Sequence, residues 1–441
     1  MKKVMFLIFT VALLCLMYSC SKDEVYVKPK AVTEQNDEAE NTADDTQNKV
    51  YRIQLTQNEW KISKGSIDFG FKFLKAFNEN VDGSRQYVIS PLSLSYALAM
   101  LVNGADQETQ AEILKAMNLD DCELADMNSL YQKLVAHLGQ VDNFTTMGIA
   151  NMMWMNNRYA GNIYDSYKQT LQDYYSAELM QTDARDAKDT INNWCAAKTN
   201  NLIKKFLGDE VSDVEKLMLI NALYFKGMWT YKFDKANTKI ETFNNYDGTT
   251  SEVEMMNMKT ASPGDFSYDY CSDFAIAGLP FGNDAFEMFF ILPNEGKNIN
   301  QCIDTIVKNG YYRCDTRPAY AYLKVKIPKF DISTKGSISG ALASMGIKRI
   351  FSSEATYPYI SEMPLQLSNV MQAAKLSINE EYSEGAAVTS FGWTTSAGGE
   401  SGGSYKIDTI EYYVNRPFAF MVRERYTNSV LFVGKVSSMK K

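Results

Sequence analysis

The chain of 441 residues contains a single histidine, and this scarcity excludes several classes of function. His137 lies in the apolar stretch Leu-Val-Ala-His-Leu. Metal sites built from several histidines are therefore excluded, and only one imidazole is available to a Ser–His or Cys–His mechanism. We interpret His137 as a structural or surface residue. We expect no metal and no cofactor, and we expect that the protein is not an enzyme.

Cysteines are also few, and they are widely spaced. After Cys20 five cysteines remain, scattered along the chain without any Cys-x-x-Cys pair: Cys122, Cys195, Cys271, Cys302 and Cys314. An odd, scattered set favours neither a disulfide framework nor a zinc site, so we interpret most of them as buried free thiols. A single disulfide, such as Cys302 with Cys314, remains open.

The chain also has no excess of basic charge, and long apolar runs are missing after the N-terminal region. The net charge is -8 and the pI is about 5.1, which argues against nucleic-acid binding, because that function needs a basic face. No segment after the N-terminal region is long and apolar enough to predict a membrane-spanning helix.

The N-terminal residues are typical of a targeting segment. Lys2 and Lys3 precede the apolar run Val4–Met17, which ends at Ser19-Cys20. A small residue before cysteine here resembles a bacterial lipoprotein signal, in which Cys20 becomes the lipidated first residue. We therefore predict a signal peptide over 1–19 and a lipid-anchored protein of the bacterial cell envelope, periplasmic or surface-exposed. Ordinary secretion is the alternative.

The segment 20–50 is predicted to be a disordered tether, because residues 21–49 carry eight acidic and four basic side chains and little apolar surface. From residue 51 to 441 the composition is even, and we predict one domain. With 45% hydrophobic residues a large core is available.

Helices are predicted in the first part of this domain. Ser90-Pro91 is typical of a helix start, with Ser90 as N-cap and Pro91 in the first turn. A buried helix over 92–102 follows, and then one over 107–117. Apolar residues also recur at helical spacing between Ile191 and Phe206.

Strands are predicted in the second part. The apolar run Leu217–Phe225, with Asn221 inside it, predicts a strand covered on both faces. Leu323, Val325 and Ile327 alternate with lysines, and 418–422 with 430–436 predict a terminal hairpin. The fold class is therefore α+β. A buried Asn221 needs hydrogen-bond partners, and Ser90 and Ser93 could supply them.

The segment from Ser383 to Ser390 is strand-capable but has almost no bulk on either face. Taken at period 2, one face carries Ser383, Gly385, Ala387 and Thr389. A Gly- and Ser-rich stretch follows Trp393. Nothing large would stop this segment from entering a gap in a sheet, so we predict that the loop moves and that its movement is the function.

Several of these motifs together resemble the serpin family over nearly all of residues 51–441. They are Ile89-Ser90-Pro91-Leu92-Ser93, the long motif from Asn221 to Trp229, Ile327-Pro328-Lys329-Phe330, Asn415-Arg416-Pro417-Phe418 and Leu431–Val436. The resemblance implies three β-sheets, about nine helices and an exposed reactive-centre loop. It also implies suicide inhibition. A protease attacks the loop, the cut loop inserts into the main sheet as a new strand, and the covalently attached protease is trapped.

The resemblance also implies roles for particular residues. Glu380 and Glu381 would end the strand before the loop, and the segment from Ser383 to Ser390 would enter the sheet first. The hinge as a whole comprises Glu380, Glu381, Tyr382, Ser383, Glu384, Gly385, Ala386, Ala387, Val388 and Thr389. The region where the sheet opens comprises Ser90, Ser93, Asn221, Trp229, Lys329 and Gln372. Lys329 would face Glu380 as an exposed ion pair.

Three departures from the family pattern stand out. Tyr382 occupies a position where the family usually has glycine, but it shares the face of Glu384, which stays outside on insertion. Gln372 lies about where inhibitory members often have histidine. The stretch 394–409 is about ten residues longer than usual.

The resemblance implies cleavage after the seventeenth position counted from Glu380, which lies between Ser396 and Ala397, and a small residue there suggests an elastase-like serine protease as partner. A cysteine protease remains open, and the alternative cleavage sites follow Phe391, Trp393, Thr395 and Lys406. We expect a monomer. The alternative function is a non-inhibitory serpin that acts as a surface binding or structural lipoprotein.

Overall fold

The computed structural model of the protein describes residues 51–309, 321–380 and 407–440. These residues contain helices α1 (Gln57–Lys64), α2 (Ser66–Glu79), α3 (Pro91–Val102), α4 (Gln107–Ala116), α5 (Leu124–His137), α6 (Asn157–Ala160), α7 (Asp165–Tyr175), α8 (Ala184–Lys198), α9 (Ile299–Asn309) and α10 (Ser339–Ser344). No helix in these three ranges is long and apolar enough to cross a membrane.

The strands form three sheets. They are β1 (Tyr87–Ile89), β2 (Thr145–Asn156), β3 (Glu178–Thr182), β4 (Leu217–Gly227), β5 (Lys239–Asn244), β6 (Thr250–Lys259), β7 (Ser267–Tyr270), β8 (Phe274–Phe281), β9 (Phe286–Pro293), β10 (Tyr322–Pro328), β11 (Phe330–Ser337), β12 (Leu367–Ile378), β13 (Thr409–Tyr413), β14 (Phe418–Glu424) and β15 (Val430–Val436). The predicted α+β class with three sheets is confirmed.

The five-stranded sheet has the order β11-β12-β4-β2-β3. Strands β12 and β4 are parallel neighbours, and each has an antiparallel partner on its other side. Helix α8 covers one face through Ile191, Trp194 and Cys195, while the opposite face joins the main core. Burial on both faces explains why β4 is a continuous apolar run.

The other two sheets complete the core. The six-stranded sheet, in the order β1-β15-β14-β9-β8-β7, is antiparallel throughout and includes the predicted terminal hairpin β14–β15. The four-stranded sheet has the order β13-β10-β6-β5. Strand β10 alternates between buried and partly exposed residues, as its lysines predicted.

Local sequence signals account for the helix that begins near the five-stranded sheet. Ser90 caps α3 because its hydroxyl accepts a hydrogen bond from the backbone N–H of Ser93 at 3.1 Å, and Pro91 occupies the first helical position. Every residue of α3 is buried. The helix predicted between Ile191 and Phe206 was too long, since α8 ends at Lys198 and the carbonyl oxygen of Cys195 accepts from Thr199. Ile203 and Phe206 therefore pack against the sheet from a loop, whereas Leu202 is exposed.

Candidate functional site

Strands β12 and β4 meet in the middle of the five-stranded sheet, and we call the line along which they pair the seam. The two strands pair in parallel from Leu367 opposite Leu217 to Leu376 opposite Phe225. Strand β12 ends at Ile378 and leads through Asn379 and Glu380 into the predicted hinge. A segment that turned back after Glu380 and entered the seam would run antiparallel to both neighbours.

A reciprocal pair of hydrogen bonds ties the middle of β12 to the start of α3. The backbone N–H of Ser90 donates to Oε1 of Gln372 at 2.8 Å, and Nε2 of Gln372 donates to the carbonyl oxygen of Ser90 at 2.9 Å. Both residues are buried. The amide of Gln372 thus satisfies buried backbone groups of Ser90 at the point where the helix begins.

Asn221 lies directly opposite Gln372 across the seam, but its partner differs from the expected one. Its Nδ2 donates to Oδ1 of Asn151 on β2 at 2.6 Å, so the prediction that Ser90 and Ser93 would satisfy Asn221 is wrong. The physical reason is register, since Asn151 is the residue paired with Asn221 across β2 and β4. Among the described residues, Oδ1 of Asn221 and Oγ of Ser93 are buried without a hydrogen-bond partner.

Trp229 lies where β12 ends. Its indole Nε1 donates to the carbonyl oxygen of Asn379 at 3.1 Å. The ring is 5% exposed and stacks on Phe281, with ring centroids 4.2 Å apart, and it meets Phe233 edge-on. A rigid aromatic ring therefore holds the residue that precedes Glu380.

Glu380 closes this end of the seam. Its carboxylate lies 2.8 Å from Nζ of Lys329 and also accepts a hydrogen bond from the hydroxyl of Thr238. Lys329 forms ion pairs with two carboxylates, since its Nζ also lies 3.1 Å from Oε1 of Glu254. The side chain of Glu380 is only 3% exposed, so the expectation of an exposed pair was wrong.

The environment of this pair changes the acidity of both groups. Burial works to raise the pKa of Glu380, but the hydrogen bonds from Lys329 and Thr238 outweigh it, and the pKa is lowered overall. Burial likewise works to lower the pKa of Lys329, but its hydrogen bonds to Glu380 and Glu254 leave that pKa raised. Both shifts favour the charged pair.

Many predicted residues lie outside the described ranges, and their roles stay predictions. These are Cys20, Cys314, the hinge residues from Glu381 to Thr389, the cleavage-site residues Ser396 and Ala397, and the alternatives Phe391, Trp393, Thr395 and Lys406. Cys302 is buried, and no disulfide is formed among the cysteines that the structure describes. His137 ends α5, and its ring lies 5.1 Å from that of Tyr51.

Sequence reasoning missed two residues of this region. Asn151 interrupts the apolar stretch Ile149-Ala150-Asn151-Met152-Met153, the same signal that singled out Asn221, so it could have been found. Thr238 follows a short turn between β4 and β5, and nothing in the sequence distinguishes it from other threonines.

Comparison with known proteins identifies the class to which this fold and this seam belong. Residues 64–439 match the family Serpin (serine protease inhibitor). The chain belongs to the serpin family.

Relatives and solved structures agree over most of the chain. Iripin-8 of Ixodes ricinus is 27% identical, covering 88% of this chain and 96% of its own length. Corticosteroid-binding globulin of Oryctolagus cuniculus is 30% identical, covering 85% and 95%. The crystal structure of a thermophilic serpin, tengpin, in the native state is 26% identical with a TM-score of 0.75, covering 89% of this chain and 97% of that one.

The family assignment corrects one expectation. A single histidine led us to expect that the protein is not an enzyme, but that exclusion was too strong. Most members of the family are protease inhibitors, which are usually not enzymes, and membership of the family does not exclude catalysis.

Proposed function

We propose that this serpin inhibits a serine protease by suicide cleavage. The protease cuts the loop that follows Glu380, the cut loop enters the seam between β12 and β4, and the covalently attached protease is carried along and trapped. The single observation that carries this proposal is the parallel pairing of β12 and β4 next to the start of the loop.

The geometry of the seam supports a favourable insertion. One parallel ladder would be replaced by two antiparallel ladders, which are slightly more stable per residue. Inserting about ten residues adds on the order of ten backbone hydrogen bonds, each contributing about 1 kcal/mol net. This gain is comparable to the whole stability of an ordinary domain, about 5–15 kcal/mol, so the uncut protein would be kinetically trapped.

The contacts around the seam support controlled opening. The bonds from Gln372 to Ser90, from Asn221 to Asn151 and from Trp229 to Asn379 hold the strands and the start of the hinge in place. Each contact consists of one or two hydrogen bonds that can be exchanged, and none of the three is a covalent link.

We infer the target and the location of the protein from its sequence. The target is an elastase-like serine protease that cuts between Ser396 and Ala397, and the protein acts as a monomer anchored through a lipid on Cys20 in a bacterial cell envelope.

A Cys20→Ala variant tests the anchor: it should move from the detergent phase to the aqueous phase when a detergent extract of the cells is partitioned. Equal partitioning of both forms would overturn the anchor.

The inhibition test uses the soluble chain from residue 21 onward, mixed with elastase-, chymotrypsin- and trypsin-like proteases. A band of the summed mass on a denaturing gel, together with the mass of the released C-terminal peptide, would identify both the trapping and the cleaved bond. Cleavage without that band, and with no rise in the thermal midpoint of the nicked protein, would contradict the proposal.

A non-inhibitory serpin is the second candidate, and one observation favours it. Corticosteroid-binding globulin is among the relatives, at 30% identity. A protein of this second kind would be cut as a simple substrate by all three proteases and would leave each of them active.

A further inference from the structure

A cleft lies beside the end of β12, outside the seam itself. It has a volume of about 630 Å³ and is bounded by the four-stranded sheet, by the start of β11 and by the C-terminal residues that follow β15. This volume falls within the range of roughly 300–1,000 Å³ that is usual for ligand sites.

The floor of the cleft is apolar. Phe330 and Ile332 of β11, Ile378 of β12 and Val436 of β15 line it, and each is at most 8% exposed. Ile240 of β5 stands at the edge and is 63% exposed, which is unusual for a large aliphatic side chain. An apolar group of a ligand could cover this edge.

The rim of the cleft is acidic. Its lining includes four carboxylates, Glu252, Glu254, Asp331 and Glu380, against two amines, Lys329 and Lys440. Lys329 is already engaged by Glu380 and Glu254, and Lys440 pairs with Asp247. Glu252 and Asp331 accept hydrogen bonds from the hydroxyls of Thr242 and Ser377, and within the described ranges neither forms an ion pair.

The cleft also runs along an exposed sheet edge. Among the described strands, β11 is the outermost strand of its sheet, and Phe330, Asp331 and Ile332 on it line the cleft. An edge strand offers unpaired backbone groups, and an extended peptide can pair with them. A polyamine could match the charge but could not make these bonds.

We propose that this cleft binds a short cationic peptide segment in which basic side chains flank apolar ones. The basic groups meet Glu252 and Asp331 at the rim, the apolar groups cover the floor and Ile240, and the peptide main chain pairs with β11. The binding does not depend on protease inhibition, because it requires only the intact protein.

The test is calorimetric titration of the intact soluble chain with the capped peptide Arg-Leu-Arg-Leu-Arg, in which the alternation of a strand puts the leucines on one face and the arginines on the other. The capped peptide Glu-Leu-Glu-Leu-Glu and spermine serve as controls for charge and for shape. We expect binding of the basic peptide that weakens when the NaCl concentration is raised from about 50 to about 300 mM, because rim charges are screened. Absence of binding at about 1 mM peptide, which corresponds to about 4 kcal/mol, or equal binding of either control, would overturn the proposal.

Two variants locate the site. Glu252→Lys should weaken binding at least about tenfold, and Ile240→Ser should weaken it without any change of charge. Glu362→Lys, an equal change of charge at an exposed residue outside the cleft, should bind like the parent protein. If the thermal melt of Glu252→Lys shows that this variant fails to fold, the affinity of Ile240→Ser alone tests whether the peptide binds in the cleft. Parent-like affinity in Ile240→Ser would then reject the site.

Discussion

Gln372 and Ser90 hold each other through two hydrogen bonds, one in each direction, although they are 282 residues apart in the chain. A side-chain amide can do this because it carries a donor and an acceptor on one planar group. The pair fixes the middle of β12 to the N-terminus of α3, directly beside the seam. Any opening of the seam that moves β12 must break or stretch it.

Replacing Gln372 by alanine should destabilise the intact protein. The buried N–H of Ser90 would lose this acceptor, at about 1–3 kcal/mol for an unsatisfied group, whereas the carbonyl oxygen of Ser90 would keep its hydrogen bond from the N–H of Leu94 at 3.1 Å. The measurement is the urea midpoint of the uncut protein. Gln372→Glu serves as the matched variant, since it keeps the shape and the acceptor but loses the donor. A midpoint of Gln372→Ala equal to that of the parent would contradict the role of this pair.

A Gln372→His variant should make the stability of the seam depend on pH. A neutral imidazole has one donor and one acceptor, but a protonated one has two donors and cannot accept from the N–H of Ser90. Since the ordinary pKa of histidine is about 6.5, the urea midpoint should fall as pH drops from about 7.5 to about 5.5. The parent protein should show no comparable fall in that range. If the urea midpoints of the two proteins changed equally with pH, the side chain at position 372 would not be the acceptor for the N–H of Ser90.

The ion pair of Glu380 and Lys329 should make the hinge region sensitive to acid. The folded pKa of Glu380 is lowered, so its contribution to stability is present above its unfolded pKa of about 4.3 and is lost as pH falls below that value. The urea midpoint should therefore decline between about pH 5 and about pH 3, and less steeply in Glu380→Gln. If the urea midpoint declined equally steeply with pH in the parent and in Glu380→Gln, Glu380 would not be the cause of the acid sensitivity.

Lys329→Met should cost more than the loss of an ordinary exposed ion pair. The side chain of Glu380 is 3% exposed, and without the lysine its carboxylate would keep the hydroxyl of Thr238 as its side-chain partner. Leaving a buried charged group poorly paired costs about 1–3 kcal/mol or more, whereas an exposed pair contributes about 0–1 kcal/mol. Lys324→Met is the matched control, because the Lys324–Glu411 pair is exposed on both sides. Similar urea midpoints for Lys329→Met and Lys324→Met would show that the burial of Glu380 does not increase the cost of losing its lysine partner.

Sequence patterns predicted much of this fold, because these elements depend on the capping, burial and spacing of residues that are close together in the chain. The start of α3 follows from Ser90 and Pro91, and the doubly covered β4 follows from its apolar run. The partner of Asn221 could not be predicted in the same way, because it depends on which residue of β2 lies opposite in the register. The burial of Glu380 also escaped prediction, since Thr238 and Lys329 reach it from separate parts of the chain.

The hinge prediction concerns the face that Ser383 presents on insertion. Ser383→Arg should convert the inhibitor into a substrate, because a charged side chain would have to be buried early as the loop enters the seam. Glu384→Arg is the matched control, since Glu384 is on the face expected to stay outside. The measurement is the ratio of trapped to cleaved inhibitor on a denaturing gel. Undiminished trapping by Ser383→Arg would exclude entry of this segment into the sheet, while loss of trapping in both variants would exclude the assignment of faces.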